Sequence, residues 1–295
     1  MKVISSIEAF RAWRRGLAGD LGLVPTMGYL HEGHLSLVRA SQQQNAYTAV
    51  TIFVNPTQFA ANEDLSAYPR NLERDLAMLE TVGADAVFTP ASDLVYPPGF
   101  QTYVTVEKVS QGNEGQRRPG HFRGVATVVA KLFNITQPQR AYFGQKDAQQ
   151  VVVLRRMVAD LNFPIEIVVC PIMREPDGLA MSSRNVYLNP AERQAATVIR
   201  RALLAAADLY DAGTRDPDEL RRTVQSMIAS EPLAHLDYVS VANASDLSEV
   251  TTAINTPLLL STTVQVGRPH LLDNLLLPAH LNTQEGATRV LGAIQ

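Results

Sequence analysis

Leu21-Gly22-Leu23-Val24-Pro25-Thr26-Met27-Gly28-Tyr29-Leu30-His31-Glu32-Gly33-His34 joins a short apolar run to an amphipathic segment that continues through Leu35, Leu37 and Val38. The spacing predicts a strand over 21–24 that ends at Pro25, then a turn, then a helix. A helix N-terminus leaves backbone N–H groups unpaired and carries the positive end of the dipole, so a phosphate is favoured there. His31 and His34 fall on one side of that first turn, and Gly33 between them removes a side chain where a nucleotide would approach. Strand, polar turn and helix make the first half of a β-α-β unit.

The same alternation runs on either side of this stretch. Upstream, Ser5-x-x-Glu8 has capping-box spacing, followed by Phe10, Trp13 and Leu17 at helical intervals. Downstream, a β-branched run over 47–54 stops at Asn55-Pro56, and a helix through Leu72, Leu76, Met78 and Leu79 stops at Gly83. A buried strand over 86–88 follows, then a helix over 125–135, a strand over 141–143, a helix over 148–161 and a strand over 165–170. Such alternation implies an α/β fold with a parallel sheet covered by helices on both faces. After Pro171 the pattern changes. Asn189-Pro190-Ala191-Glu192 starts a helix ending near Gly213, Asp216-Pro217-Asp218-Glu219 starts another, and strand-like runs occupy 236–241, 258–266 and 271–277. Two helices and a small antiparallel sheet form a second, α+β domain, giving expected domains of 1–173 and 174–295. The Gly-rich segment 112–120 reads as a mobile loop near a substrate entrance.

The chain has 295 residues, room for one large domain or two at about 150 residues each. Apolar residues make up 46% and charged residues 19%, which excludes disordered, collagenous and disulfide-framework chains. A net charge of -3 argues against the broad cationic surface of a nucleic-acid binder while leaving room for a local basic pocket. Cys170 stands alone in an apolar run, so it reads as a buried small hydrophobe in a reducing compartment. Early charges at Glu8, Arg11, Arg14 and Arg15 break up any signal-peptide core, and no run approaches the roughly 20 apolar residues of a membrane span. A cytoplasmic protein with no membrane or nucleic-acid partner is expected.

Ligands bind outside the carboxyl ends of parallel strands, and the segments there are polar. Besides the His31/His34 turn, Asn55, Gln58 and Asn62-Glu63-Asp64 follow the second strand; these amides suit either a small polar substrate or loop capping. Arg117-Arg118-Pro119-Gly120-His121 puts cations and a histidine ahead of a helix, as a solvated basic loop also would. Phe143-Gly144-Gln145-Lys146-Asp147, with Gln150 a turn later, suits an ammonium on phosphate and a carboxylate on ribose, or a surface ion pair. Ser182-Ser183-Arg184, within 173–185, can wrap terminal phosphates, with arginine giving a bidentate contact. There is no GxxxxGK[ST]. His121, His235, His270 and His280 show no compact spacing with the first pair, so no metal ligands are expected.

Taken together, the clusters resemble the pantothenate synthetase family, the pantoate and β-alanine ligases of the nucleotidyltransferase superfamily. Pro-Thr-Met-Gly-x-Leu-His-x-Gly-His at 25–34, Asn-Pro-x-Gln-Phe at 55–59, Tyr-Pro-Arg at 68–70 and Arg-Pro-Gly-His-Phe at 118–122 carry the likeness. So do Phe-Gly-x-Lys-Asp-x-Gln-Gln at 143–150 and Arg-Glu-x-Asp-Gly-Leu-Ala-x-Ser-Ser-Arg-Asn at 174–185. His-x-Gly-His alone marks only the superfamily. The resemblance implies a Rossmann-like, doubly wound domain, a smaller C-terminal lid hinged near 171–184, and a homodimer. It implies that His31, His34, Lys146, Ser182, Ser183 and Arg184 contact ATP phosphates and that Gly144 and Asp147 hold the ribose. Met27, which also borders ATP, Gln58 and Gln150 would bind pantoate, and Arg118 matches a site arginine placed with them. The family usually has Glu where Gln145 stands and Gly where Ala60 stands.

The implied reaction has two steps: pantoate attacks the ATP α-phosphorus to give an acyl-adenylate and pyrophosphate, and β-alanine then displaces AMP. His31, His34, Lys146, Arg184 and Mg²⁺ would neutralise developing charge. Two alternatives use the same motifs: a nucleotidylyltransferase acting on a small phosphorylated alcohol, and an ATP-sensing module without turnover. The first does not explain the amides Gln58 and Gln150 as a second small-substrate pocket, and the second would bind ATP without releasing pyrophosphate.

Overall fold

The computed structural model describes residues 1–59 and 65–294. Asn62, Glu63, Asp64 and Ala60, considered above, lie outside the described residues. The chain divides into two compact units: Met1–Phe143 with Val153–Val168, and Gly144–Val152 with Val169–Gln295.

In the first part of the chain lie β1 (Lys2–Ile4), α1 (Ile7–Arg15), β2 (Leu21–Thr26), α2 (Glu32–Gln44), β3 (Tyr47–Ile52), α3 (Leu72–Thr81) and β4 (Ala86–Phe88). Then come α4 (Ser92–Val95), α5 (Asn113–Arg117), α6 (His121–Thr136), β5 (Arg140–Gly144), α7 (Ala148–Asp160) and β6 (Glu166–Cys170). The strands form a six-stranded parallel sheet in the order β1-β4-β3-β2-β5-β6. Leu21, Leu23, Val24, Ala49, Val50, Val87 and Phe88 are buried, as expected for strands covered on both faces. The order reverses between β2 and β5, the switch point at which open α/β sheets take ligands. The expected α/β, doubly wound architecture is therefore present.

Several local expectations change. Ser6, not Ser5, caps α1, its hydroxyl accepting from the Ala9 N–H at 3.2 Å. β1 was not anticipated, because only Ile4 of its three residues is buried and no apolar alternation marks it. Pro25 lies inside β2 rather than ending it: β5 pairs only with Gly22 and Leu23, so at Pro25 the registered neighbour is β3 and the missing N–H is tolerated as on an edge. The segment 112–120 contains the helical turn α5, and α6 begins at His121, so that histidine is inside the helix and not ahead of it.

The second unit carries α8 (Pro190–Ala196), α9 (Val198–Asp211), α10 (Pro217–Ala229), β7 (Ala234–Asn243), β8 (Leu258–Val266), β9 (His270–Leu277) and α11 (Gln284–Val290). Its three strands are antiparallel in the order β7-β8-β9. Asn189 and Glu192 close the expected capping box, at 3.0 and 2.9 Å. The single helix expected to run to Gly213 is two: the Thr197 hydroxyl donates back to the Gln194 carbonyl at 2.8 Å, a competition that bends helices. Ile199, Ala202, Leu203 and Ala206 on α9 share one core with Leu258, Leu260 and Val264 on β8. Among the described residues, no helix is long and apolar enough to cross a membrane.

Two contacts fix the turn between β2 and α2. Gly22 leaves space for α2: a Cβ there would lie 2.0 Å from Ser41 Oγ and 2.6 Å from Asn45 Nδ2. Asp75 on α3, 1% exposed, accepts from the Tyr29 N–H at 2.7 Å and the Leu30 N–H at 2.8 Å. Just before them, Gly28 takes φ +84°, and a Cβ there would press on Ile52 and Asp75 at 3.0 and 3.1 Å. Asp75→Ala strands backbone donors that now bond to a charged acceptor, and should lower stability by about 1.5–3 kcal/mol in urea unfolding. Asp75→Asn, keeping one acceptor oxygen, should lose less. Gly22→Ala should cost about 1–3 kcal/mol by the same measurement, because backbone and helix must part to admit the methyl group.

Candidate active site

The turn that Asp75 holds delivers His31 as the N-cap of α2. Its Nδ1 accepts from the Gly33 N–H at 3.1 Å, and His34 Nδ1 accepts from the His31 N–H at 3.2 Å, a reciprocal capping box made by two imidazoles. The rings stand 4.1 Å apart, centroid to centroid. With both Nδ1 atoms accepting, the proton of each neutral ring sits on Nε2, which makes each Nε2–H a hydrogen-bond donor. This narrows the expectation of unpaired backbone amides in the first turn to the Glu32 N–H. The N–H groups of His31 and Gly33 are taken by the rings, and that of His34 bonds the His31 carbonyl at 2.8 Å. Besides the Glu32 N–H, the helix end offers an anion the imidazole edges.

Met27, Gln58 and Arg118 are linked in the same unit. Gln58 Nε2 donates to Met27 Sδ at 3.2 Å, and Gln58 Oε1 accepts from Asn55 at 3.1 Å. Asn55 is 1% exposed and fully engaged: it also donates to the Gly124 carbonyl and accepts from Thr57 at 3.0 Å and Tyr96 at 2.8 Å. Its side chain caps no backbone N–H of the 3-10 turn Pro56–Gln58, so it is not the loop cap considered above; it orients the Gln58 amide instead. Burial raises the Tyr96 phenol above its ordinary value, against a smaller lowering by Thr57, so it stays a donor to Asn55. His121 Nδ1 faces the Gln58 carbonyl at 2.9 Å and must donate to it, which leaves Nε2 to accept from Arg118 at 3.1 Å. Gly124 permits this packing, since a Cβ there would fall 2.3 Å from the Thr57 carbonyl oxygen.

The second unit holds Gly144, Lys146, Asp147, Gln150, Ser182, Ser183 and Arg184. Lys146 Nζ lies 3.5 Å from Asp147 Oδ1 on the 3-10 turn Gln145–Asp147, with Asp147 half exposed. Gln150 is partly buried on α7. Gln145 points away from solvent, 1% exposed, and donates to Asn274 Oδ1 at 3.2 Å and Asn282 Oδ1 at 2.9 Å, while its own Oε1 has no protein partner. Ser182 caps the 3-10 turn Ser183–Tyr187 by accepting from the Arg184 N–H at 3.2 Å, and Ser183 is buried. The hairpin before them is pinned by a bidentate pair, Arg174 to the buried Asp273, at 2.7 and 2.9 Å. Among the described residues, no group of three or more His, Cys, Asp or Glu is placed to hold a metal ion. Burial pushes the Cys170 thiol up to about 12, so it is an inert core residue.

Sequence reasoning missed Asp75, Asp273, Asn274 and Asn282. A signal existed for Asp75, an acid four residues before the buried Leu79 on the apolar face of α3. For Asn274 there was little: it sits in the run Leu271-Leu272-Asp273-Asn274-Leu275, and only its polar character between leucines stands out.

The chain matches the Pantoate-beta-alanine ligase family model over residues 2–276. It is 60% identical over 279 residues to a pantothenate synthetase of Roseiflexus castenholzii, covering 95% of this chain and 100% of that protein. It is 54% identical over 277 residues to that of Herpetosiphon aurantiacus, covering 94% and 100%. Among solved structures, the pantothenate synthetase from Thermus thermophilus superposes with a TM-score of 0.89 at 44% identity, covering 93% of this chain and 99% of that one. The pantoate-beta-alanine ligase from Francisella tularensis, complexed with beta-gamma ATP and beta-alanine, gives 0.76 at 33% identity, covering 94% and 97%. Sequence similarity across nearly the whole length and the shared fold agree: the chain belongs to the pantoate-beta-alanine ligase family.

Proposed function

We propose that this chain condenses pantoate with β-alanine, using ATP, to form pantothenate through a pantoyl-adenylate. A pantoate carboxylate oxygen attacks the α-phosphorus and pyrophosphate leaves; the amine of β-alanine then attacks the acyl carbon, loses a proton, and AMP leaves. The observation that carries this reading is the family match over residues 2–276. The geometry supplies the chemistry residue by residue. A carboxylate needs no base to attack, so the first step needs positioning and charge stabilisation. His31 and His34 serve as Nε2–H donors to ATP phosphates, together with Lys146, Ser182, Ser183 and Arg184. Gly144 and Asp147 hold the ribose. Met27, Gln58 and Gln150 receive pantoate, with Arg118 beside them; once Asn55 and Met27 are served, the Gln58 amide keeps one N–H and one lone pair for a hydroxyl or carboxylate.

ATP enters with Mg²⁺ carried on its phosphates. The family resemblance supports a homodimer, which sedimentation will test, and the lone, buried Cys170 suits a cytoplasmic location.

In an assay that omits each substrate in turn, AMP release should require ATP, pantoate and β-alanine together. AMP transfer to a phosphorylated alcohol, or ATP binding without pyrophosphate release, would defeat the reading. His34→Ala and Lys146→Ala should each cut pantoate-dependent turnover about 10²–10³-fold, the usual loss for one such donor. The His34 variant also gives up a cap worth about 1 kcal/mol and should still show native circular dichroism. Near-normal turnover in either variant removes that residue from the chemistry.

A further inference from the structure

We propose that Asn274 and Asn282 are positioning residues for Lys146, and that they require an amide rather than a carboxylate at position 145. The inference rests on the reading that Lys146 acts on phosphate. Asn274, on β9, is fully buried and sends Nδ2 to two main-chain carbonyls of the lysine-bearing turn, Gln145 at 3.1 Å and Lys146 at 2.9 Å. Carbonyl oxygens only accept, so this amide has one permitted orientation, with Oδ1 turned to the Gln145 side chain. Asn282 is fixed just as firmly. Its Oδ1 accepts from the Leu276 N–H at 2.8 Å and its Nδ2 donates to the carbonyls of Leu276 at 2.7 Å and Ala279 at 3.0 Å.

Two acceptors, neither able to flip without breaking bonds to main chain, therefore converge on the end of residue 145. Only a group with two N–H bonds answers both. Gln145 does; glutamate of the same shape would set an ionised oxygen against two amide oxygens in a buried place. Asn274 thus holds the carbonyl of Lys146 itself, and Gln145 locks Asn274 to Asn282 on the residues that follow β9. The ammonium is carried by a turn whose main chain is bonded to the sheet.

The test is a double-mutant cycle on pantoate-dependent pyrophosphate release, with thermal unfolding run alongside. Asn274→Ala should lower kcat about 10–100-fold, the scale set by a small misplacement of a reacting group, with a smaller change in the KM for pantoate. In a Lys146→Ala background the same substitution should do almost nothing further, because there is no ammonium left to misplace. Losses that multiply in the double variant point to general destabilisation and overturn the proposal. Gln145→Glu should lose kcat on the same scale as Asn274→Ala, and a wild-type rate in that variant overturns the amide requirement. If Asn274→Ala fails to fold, Gln145→Glu takes its place in the cycle with the same two outcomes. Full activity in Lys146→Ala would instead defeat the phosphate role of Lys146, and this inference with it; loss in Lys146→Ala with none in Asn274→Ala or Gln145→Glu defeats the inference alone.

Discussion

Both carboxylate oxygens of Asp75 are turned to the main chain of another element, where the N–H groups of Tyr29 and Leu30 donate to them. That bond pair sets where the chain leaves β2 and where α2 can begin. Gly28, at φ +84°, makes the bend that brings the two amides to the carboxylate. A helix started one residue earlier or later would move His31 off the cap position and dissolve the reciprocal box with His34. The rings are oriented by the helix they terminate, and the helix is started by an acid on α3. Stability and site geometry at this turn are one constraint, since a buried carboxylate is tolerated only where its oxygens are bonded.

The same logic recurs within each unit. Asn55 is bonded on every side, and the result is a Gln58 amide that can point only one way. His121 has its tautomer dictated by the Gln58 carbonyl and hands Arg118 an acceptor. In the second unit, Asp273 holds Arg174 and the neighbouring Asn274 holds the turn of Lys146, so two adjacent residues of β9 anchor separate polar segments. For Asn55, His121 and Asn274 a backbone carbonyl, whose polarity cannot change, settles the orientation of a side chain whose polarity can, while Arg174 and Asp273 settle each other as an ion pair. Such networks are costly when half satisfied and rigid when complete.

The α/β plan was legible because the strands are continuous apolar runs and the helices carry start and stop residues; 258–266 reads as a strand from its composition alone and is one. The polar clusters were legible because they follow strands. What stayed hidden is of a different kind. β1 is too short and exposed to show a period, and the split at Thr197 depends on a hydroxyl choosing a carbonyl over solvent. The supporting residues Asp75, Asn274 and Asn282 lie 46, 128 and 6 positions from groups they bond, and for the first two no local pattern announces the partner. Motif reading finds residues that face a ligand. It does not find those that face the residues facing it.

The capping arrangement also bears on what the histidines do in the proposed reaction. A second proton on either ring would place an Nδ1–H against a backbone N–H, at His31 and at Gly33, and open the box. The cap therefore fixes which nitrogen accepts, and each ring turns an Nε2–H donor outward. Two anions must meet in the first step, and donors that strengthen as charge moves onto the leaving phosphates help the transition state more than they help the bound substrates. In the proposed reaction, Lys146 and Arg184 would add full positive charge to the same task of stabilising the leaving phosphates. The proposed nucleotide chemistry is compatible with a net charge of -3, since it calls on oriented donors and a few cations rather than on an overall positive surface.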